Sequence, residues 1–437
     1  MNPRKTALGI LVRMAIPFGG GQASGYSKLL IDSALRRDAG LAPADRALVS
    51  TLVLGVVERI ITLDYYVSRL SSRPGEKIDP ETLAALRLGL WQIVFADRIP
   101  DHAAVFETVS AVKKPSRGFV NGLLRNYLRR REEMNLPGGS SPGALSRRYS
   151  VCPGLCARYI EIFGPEKAES ILAAGFERRL SIRTNSLKTT AEGLAEILSK
   201  EGFDATPLGC GTGFSISGGD GLPSAVADGL AFVQDEASQI AVAALGARPG
   251  EEILDVCACP GSKSFGAAVD MENRGRIVAC DLHASKLPLI AKEAEKLGIG
   301  IIETVCRDSS VFEPSFGNRF DRVICDVPCS GYGVISKKPE IRYKDPASCS
   351  DLPALQAAIL RAAADALRPG GTLVYSTCTT LPEENRDVTD AFLASRPEFR
   401  LTPFAAGDRA SSDGILELLP DGGTDGFFIA KFTKTTV

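Results

Sequence analysis

From Gly250 onward short apolar runs alternate with amphipathic stretches, and this alternation constrains the fold more than any other feature. Strand-like runs fall at 252–256, 276–280, 300–305, 320–325 and 372–376. Helix-like stretches fall between them at 264–271, 285–297 and 355–367, and after them at 383–394. Such alternation predicts an α/β, Rossmann-like, doubly wound domain with a parallel sheet. Sheets of this kind bind ligands beyond the carboxyl ends of their strands. A last apolar run, 426–432, reads as a further buried strand.

The last two of those alternating strands each deliver a cysteine into the loop beyond the carboxyl end. Arg322-Val323-Ile324-Cys325 leads into Asp326-Val327-Pro328-Cys329-Ser330-Gly331, and Thr372-Leu373-Val374-Tyr375 leads into Ser376-Thr377-Cys378. Pro328 and Gly331 force a loop after the first strand. If the two strands are neighbours, both cysteines face one crevice. A thiolate is the nucleophile that pyrimidine methylation needs: its addition to C6 of cytosine makes C5 an enamine carbon able to attack a methyl sulfonium. The C5 proton then leaves, the thiolate is eliminated, and a second thiol can assist. Chemistry alone does not choose which of Cys329 and Cys378 attacks. Asp326 is placed to hydrogen-bond the base, and Lys263 to neutralise charge or orient Asp326; a solvated lysine in a first helical turn is the plainer reading. The base must be unpaired or flipped to reach such a site.

The first strand runs into Asp255-Val256-Cys257-Ala258-Cys259-Pro260-Gly261-Ser262-Lys263. A tight turn there offers N–H groups and a helix N-terminus to an anionic group. Asp281 ends the second strand 20 residues after Gly261, the place for a carboxylate on ribose hydroxyls. Asp308 follows the third strand. Singly, each aspartate reads as a turn residue; Asp281, Asp308 and Asp326 at successive strand ends point instead to a cofactor. Neither dinucleotide nor Walker A glycine spacing is present, and S-adenosylmethionine fits, with its amino-acid carboxylate at the turn and its ribose at Asp281. Metal is disfavoured: no C-x-x-C occurs and His102 and His283 are the only histidines.

Residues 1–134 read as all helix, with a three-glycine turn at Gly19-Gly20-Gly21, a helix start at Pro43 and Asp45, and Asp101 as a cap. Their basic run Arg129-Arg130-Arg131 is either a phosphate-contacting edge or an ordinary helix end. Residues 1–150 hold 22 Lys and Arg against 13 Asp and Glu, a charge of +9, so the other 287 residues carry −10. A basic module joined to an acidic one suits a nucleic-acid partner, although a solvated basic face has the same composition. Residues 135–147 read as a flexible linker by their Pro, Gly and Ser content. Residues 148–245 read as a small α+β domain, RNA-facing or a spacer, and 246–437 as the catalytic domain. Arg13 interrupts the only leader-like start, 7–12, so an amphipathic helix is expected there. No run is long enough to span a membrane. The 11 cysteines form no framework, which suggests reduced thiols in the cytoplasm. Cys152, Cys156, Cys210, Cys280, Cys306, Cys325 and Cys349 read as small buried hydrophobes. Nothing indicates an obligate protein partner.

Together the motifs VQDEASQ (233–239), DVCACPGSK (255–263), ACD (279–281), RDSS (307–310), DVPCSGYGVISKKPEIRY (326–343), YSTCTTLPEEN (375–385) and DGFFIAKF (425–432) resemble those of bacterial RsmB/Sun-type ribosomal RNA cytosine-C5 methyltransferases. Residues 1–134 resemble the NusB-like helical RNA-binding domain of that family. The resemblance implies Cys378 as the nucleophile, Cys329 as the assistant in product release, and Cys257, Ala258, Cys259, Pro260, Gly261, Ser262, Lys263, Asp281, Asp308 and Asp326 around S-adenosylmethionine. It implies 16S ribosomal RNA as the substrate; transfer RNA, or a non-catalytic role in ribosome assembly, are the alternatives. The usual cofactor loop is closer to C-A-A-P-G-G-K, so Cys259 and Ser262 depart from it, and Ser262 adds a Cβ where the backbone nears the ligand.

Overall fold

The computed structural model describes residues 2–436 apart from Gln22, Ala39 and Asp220. The chain packs as two compact units, residues 1–177 with 335–349, and residues 178–334 with 350–437.

The first unit is helical: α1 (Pro3–Met14), α2 (Ser27–Arg37), α3 (Pro43–Glu58), α4 (Ile60–Leu70), α5 (Pro80–Phe95), α6 (Asp101–Ala111), α7 (Lys114–Arg129), α8 (Pro142–Tyr149), α9 (Pro153–Phe163) and α10 (Pro165–Ala174). Helix α5 is central. Asp79 caps it by accepting from the Thr82 N–H at 3.0 Å, Pro80 sits in its first turn, and every residue from Thr82 to Ile93 is buried. A helix apolar all round belongs inside. Gly55 of α3 makes room for it, because a Cβ there would lie 2.2 Å from the Trp91 ring. Arg87 of α5 is buried with Asp64 of α4 at 2.8 Å, and it also donates to the Ile16 and Pro17 carbonyls at 2.8 Å. Asp64 in turn accepts from the Gly19 N–H at 2.7 Å. This ion pair therefore pins the three-glycine turn, where Gly19, Gly20 and Gly21 all have positive φ.

Three local expectations change. Asp101 does not cap α6; it lies in the first turn behind Pro100 and binds Arg131 at 2.9 Å. Arg130 binds Glu133 at 2.7 Å, so two of the three terminal arginines already hold acidic partners. Of the expected linker, 135–147, residues 142–147 are helical as the start of α8, and 135–141 have no regular structure but lie against the helices. The Asn135 carbonyl accepts from Tyr65 Oη at 3.2 Å and the Pro137 carbonyl from Arg148 at 3.1 Å. Proline and glycine there remove secondary structure without freeing the chain.

Residues 335–349, which start in the tail of the long DVPCSG motif (326–343), belong to this unit. Tyr343 is buried in the helical core, where its Oη accepts from the Ile60 N–H at 3.1 Å and donates to the Val57 carbonyl. Arg342 lies 4.1 Å from the centre of the Phe176 ring and donates to the Tyr149 carbonyl at 3.0 Å.

The second unit opens with a small antiparallel sheet, β1 (Leu180–Thr184), β2 (Phe203–Pro207), β3 (Gly213–Gly218) and β4 (Ala231–Val233), in the order β2-β3-β1-β4. Helices α11 (Ala191–Lys200) and α12 (Ser224–Ala227) accompany it, and α13 (Glu236–Leu245) leads into the main sheet. Strand β2 was not anticipated: it is short and mostly exposed, so it carries little apolar signal.

The main sheet contains β5 (Glu252–Asp255), β6 (Arg276–Asp281), β7 (Ile302–Cys306), β8 (Phe320–Asp326), β9 (Leu367–Thr377) and β10 (Phe399–Leu401), then, past a hairpin of β11 (Phe404–Ala406) and β12 (Arg409–Ser411), β13 (Ile415–Leu418) and β14 (Phe427–Lys434). The order is β10-β14-β9-β8-β5-β6-β7, with β13 on β14. Strands β5 to β9 are parallel, whereas β14 runs antiparallel to β9. One face packs Ile253, Ile277, Ile324 and Val374 with residues of α13, α14 (Ser262–Asp270) and α15 (Leu287–Leu297). The other packs Leu254, Val278, Val323 and Leu373 with α16 (Leu352–Ala366) and α17 (Arg386–Ser395). Burial on both faces explains why these strands read as unbroken apolar runs. Among the described residues no helix is long and apolar enough to cross a membrane.

Arg87→Met should cost about 3–5 kcal/mol by leaving Asp64 buried without its partner. Denaturant unfolding followed by fluorescence of Trp91, the single tryptophan, reads this unit directly. Unchanged stability would refute the role given to the pair.

Candidate active site

Strand β5 lies between β6 and β8, so successive connections leave it in opposite directions. The crevice beyond its carboxyl end is the switch point at which such sheets bind ligands. Loops from β5, β6 and β7 are stitched together there. The Ala258 N–H donates to the Cys280 carbonyl at 2.7 Å, and Ser309 Oγ donates to the Val256 carbonyl at 2.6 Å. Gly261 heads α14 with φ +108°, and a Cβ on it would meet the Phe265 ring at 2.4 Å, so both conformation and space require glycine. Helix α14 has no side-chain N-cap. Its first-turn N–H groups thus remain available to an anionic group.

Asp281 ends β6 and is buried; it accepts from the His283 N–H at 2.9 Å and lies 3.4 Å from Lys286 Nζ. Asp308 is exposed and turned onto its own loop, accepting from Ser310 N at 2.9 Å and Ser310 Oγ at 2.6 Å. Those two bonds hold its carboxyl below the usual range. Asp255, at the end of β5, is buried and accepts from Ser264 Oγ at 2.6 Å. Burial pushes its carboxyl up to about 7 against that bond.

The other half of the crevice comes from β8 and β9. They pair in parallel with Asp326 opposite Ser376, so their loops leave side by side. Cys329 Sγ and Cys378 Sγ lie 3.2 Å apart as a hydrogen-bonded thiol pair, both half-buried. The bond with Cys378, and then burial, hold the Cys329 thiol well above the usual range. Beside them Lys263 Nζ donates to Asp326 Oδ2 at 2.6 Å and Ser376 Oγ donates to Oδ1 at 2.7 Å. Lys263 is buried, 3.4 Å from Ser238 Oγ and 5.2 Å from the centre of the Phe427 ring. Burial alone would lower its ammonium, but the charge and hydrogen bond of Asp326 turn the balance and raise it.

The structure thus brings Lys263, Asp326, Cys329 and Cys378 together, and gathers the loop 257–262, Asp281 and Asp308 at the neighbouring strand ends. Among the cysteines expected to be buried, Cys306 is exposed, because β7 is the sheet edge. Several contributors were not anticipated. Ser376, Glu384 and Asn385 lie inside YSTCTTLPEEN, yet no spacing rule assigns them a contact. Gln356 has no sequence signal: mid-helix glutamine is ordinary. Nonetheless its Nε2 donates to the Pro328 carbonyl at 3.0 Å and to Glu384 Oε2 at 2.8 Å.

Comparison with known proteins gives the family of the chain. The family model described as 16S rRNA methyltransferase RsmB/F matches residues 242–433, and the NusB family model matches residues 1–129. The probable ribosomal RNA small subunit methyltransferase B of Bacillus subtilis (strain 168) is 34% identical over 94% of this chain and 96% of its own. The chain belongs to the RsmB/F family of 16S rRNA methyltransferases. Ribosomal RNA small subunit methyltransferase B of Pseudomonas putida is 32% identical over 99% of both chains. Among solved structures, a methyltransferase homolog protein from Pyrococcus horikoshii superposes with a TM-score of 0.58 at 27% identity, covering 68% of this chain and 100% of that one.

The raised Asp255 carboxyl sets a pH dependence. A folded-state value near 7 means that the folded chain holds this proton where the unfolded chain has lost it. Asp255 therefore contributes most at low pH, and that contribution falls as pH rises from about 4 to about 7. Asp255→Asn keeps an acceptor for Ser264 and has no such titration. Its stability relative to the wild type should rise across that window and level off above it, as read by melting curves at a series of pH values. A difference independent of pH would refute the assignment.

Proposed function

We propose that this chain transfers a methyl group from S-adenosylmethionine to C5 of a cytosine in 16S ribosomal RNA, through a covalent bond between Cys378 and C6. The observation that carries this reading is the pair of thiols 3.2 Å apart at adjacent strand ends, beside a buried lysine–aspartate pair. Binding alone needs no second thiol there. The open first turn of α14, the glycine-dependent bend at Gly261 and the carboxylate of Asp281 suit the amino-acid and ribose ends of S-adenosylmethionine. Cys257, Ala258, Cys259, Pro260, Gly261, Ser262, Lys263, Asp281, Asp308 and Asp326 are the residues that would hold it. When bound, it supplies an electrophilic methyl group.

The chain's own residues then divide the work. The Cys378 thiolate adds to C6, which makes C5 nucleophilic. After C5 has been methylated its proton leaves, the sulfur–C6 bond breaks, and Cys329 assists that release. Lys263 fixes Asp326 by its 2.6 Å bond and keeps it aimed at the crevice. Residues 1–134 are the RNA-binding module in this reading, 135–147 connect it onward, 148–245 face RNA or act as a spacer, and 246–437 carry the chemistry.

Incubation with labelled S-adenosylmethionine and naked small-subunit RNA, followed by nucleoside analysis, should yield 5-methylcytosine. Its absence would defeat the proposal. Cys378→Ala should abolish methylation without trapping RNA, whereas Cys329→Ala should leave a covalent protein–RNA adduct on denaturing gels. The reverse pattern would exchange the two roles.

A further inference from the structure

The two thiols touch, and the contact itself does not say which sulfur carries negative charge. Their surroundings do. Cys329 is held on both sides by one buried polar cluster: the carbonyl of Pro328 accepts from Gln356 Nε2 at 3.0 Å, and the N–H of Ser330 donates to Glu384 Oε2 at 2.8 Å. Gln356 donates to that same carboxylate oxygen at 2.8 Å, and Tyr375 Oη donates to the Glu384 carbonyl at 2.6 Å. Glu384 is only 2% exposed. Its Oε1 is buried without a hydrogen-bond partner, and no lysine or arginine pairs with it among the described residues. Cys378 has the opposite neighbour, for its sulfur is among the groups that interact with the Lys263 ammonium.

We propose that Glu384 is a positioning residue that keeps the proton shared by the thiol pair on Cys329 and so leaves the thiolate on Cys378. The proposal rests on the thiol chemistry of the proposed function and deepens it. Among the described residues, the charged and titratable groups that act on the pair include Lys263 from α14, Tyr375 from β9 and Glu384 from the turn before α17, with Asp326 and Asp255 acting on Lys263 and Cys325 on Tyr375. Asp326 is already matched by Lys263 at 2.6 Å. Glu384 is the side chain whose unbalanced charge acts on Cys329, raising its thiol after the effects of Cys378 and of burial. One proton lies between two sulfurs. A negative charge behind Cys329 holds it there, and a positive charge near Cys378 favours the bare sulfur. The same side chain fixes the backbone on which Cys329 sits, so geometry and charge come from one residue.

The test uses the full chain without RNA or methyl donor. Iodoacetamide is applied in limiting amount from about pH 6 to about pH 9, a range that spans ordinary thiol ionisation, and the labelled cysteines are located by peptide mass spectrometry. In the wild type the first label should fall on Cys378. Glu384→Gln keeps an oxygen for the Ser330 N–H and removes the charge; the Cys378-to-Cys329 labelling ratio should fall about tenfold, equivalent to about one pKa unit. Glu384→Asp should restore much of the ratio, which a purely structural role would not predict. First labelling of Cys329 in the wild type, or an unchanged ratio and pH profile in a folded Glu384→Gln, would overturn the proposal. If Glu384→Gln does not fold, the wild-type order of labelling decides. Because no methyl transfer is measured, a negative result leaves the proposed function standing, and absence of methylcytosine leaves the thiol bias measurable.

Discussion

Parallel pairing of β8 with β9 is the constraint on which the site depends. It sets Asp326 opposite Ser376, and Cys329 and Cys378, the two thiols of the proposed reaction, follow within three residues of that register. Their loops also clasp through the backbone. The Gly333 N–H donates to the Cys378 carbonyl at 3.0 Å, and the Gly426 N–H donates to the Gly333 carbonyl at 2.9 Å. A Cβ on Gly333 would lie 1.9 Å from the Gly426 carbonyl oxygen, so no other residue fits. The main chain therefore sets how far apart the two loops lie, and the rotamers of Cys329 and Cys378 then bring their sulfurs together.

The Lys263–Asp326 pair has to be understood against its cost. Withdrawing two charges from water costs several kcal/mol per ion, and mutual attraction often does no more than repay it. Stability alone is thus a poor reason for placing this pair at the mouth of the crevice. Its value lies in orientation: both Asp326 oxygens are occupied, by Lys263 and Ser376, so the carboxylate cannot rotate without breaking a bond. A structural ion pair of the same kind, Asp64–Arg87, shows the contrast. There the charges are enclosed by backbone partners and hold a turn, with no crevice chemistry nearby.

Much of this was legible in the sequence because the sheet is buried on both faces, which writes each central strand as an apolar run ending in a polar loop. Cys329 and Cys378 stood out for the same reason: they follow the runs, whereas Cys280 and Cys325 lie within them and are buried. Short strands at exposed edges, such as β2 and β10 to β12, leave no comparable signature. Nor do partners brought in by tertiary packing, such as Gln356 from the middle of α16 or Glu384 beside an almost identical Glu383. The linker shows a different limit. The expected linker, 135–147, is irregular only over 135–141, because α8 begins at Pro142, and whether an irregular segment is free depends on the partners it meets elsewhere, here Tyr65 and Arg148. The tail of the DVPCSG motif is the converse case, a continuous motif in sequence whose last residues, Arg342 and Tyr343, are built into a helical core.

The departure at Ser262 can be weighed on the same physical grounds. Two glycines commonly stand side by side at this bend, and only one is demanded by its backbone. Gly261 has the positive φ and the close approach to Phe265. Ser262 is the first residue of α14 and is not among the residues with positive φ, so a side chain there brings no conformational strain. Its carbonyl is held from outside the helix by Gln234 Nε2 at 2.9 Å, a residue of the VQDEASQ motif. The bend that leaves the first-turn N–H groups open is therefore kept by Gly261 and Gln234, and serine at 262 is compatible with that backbone.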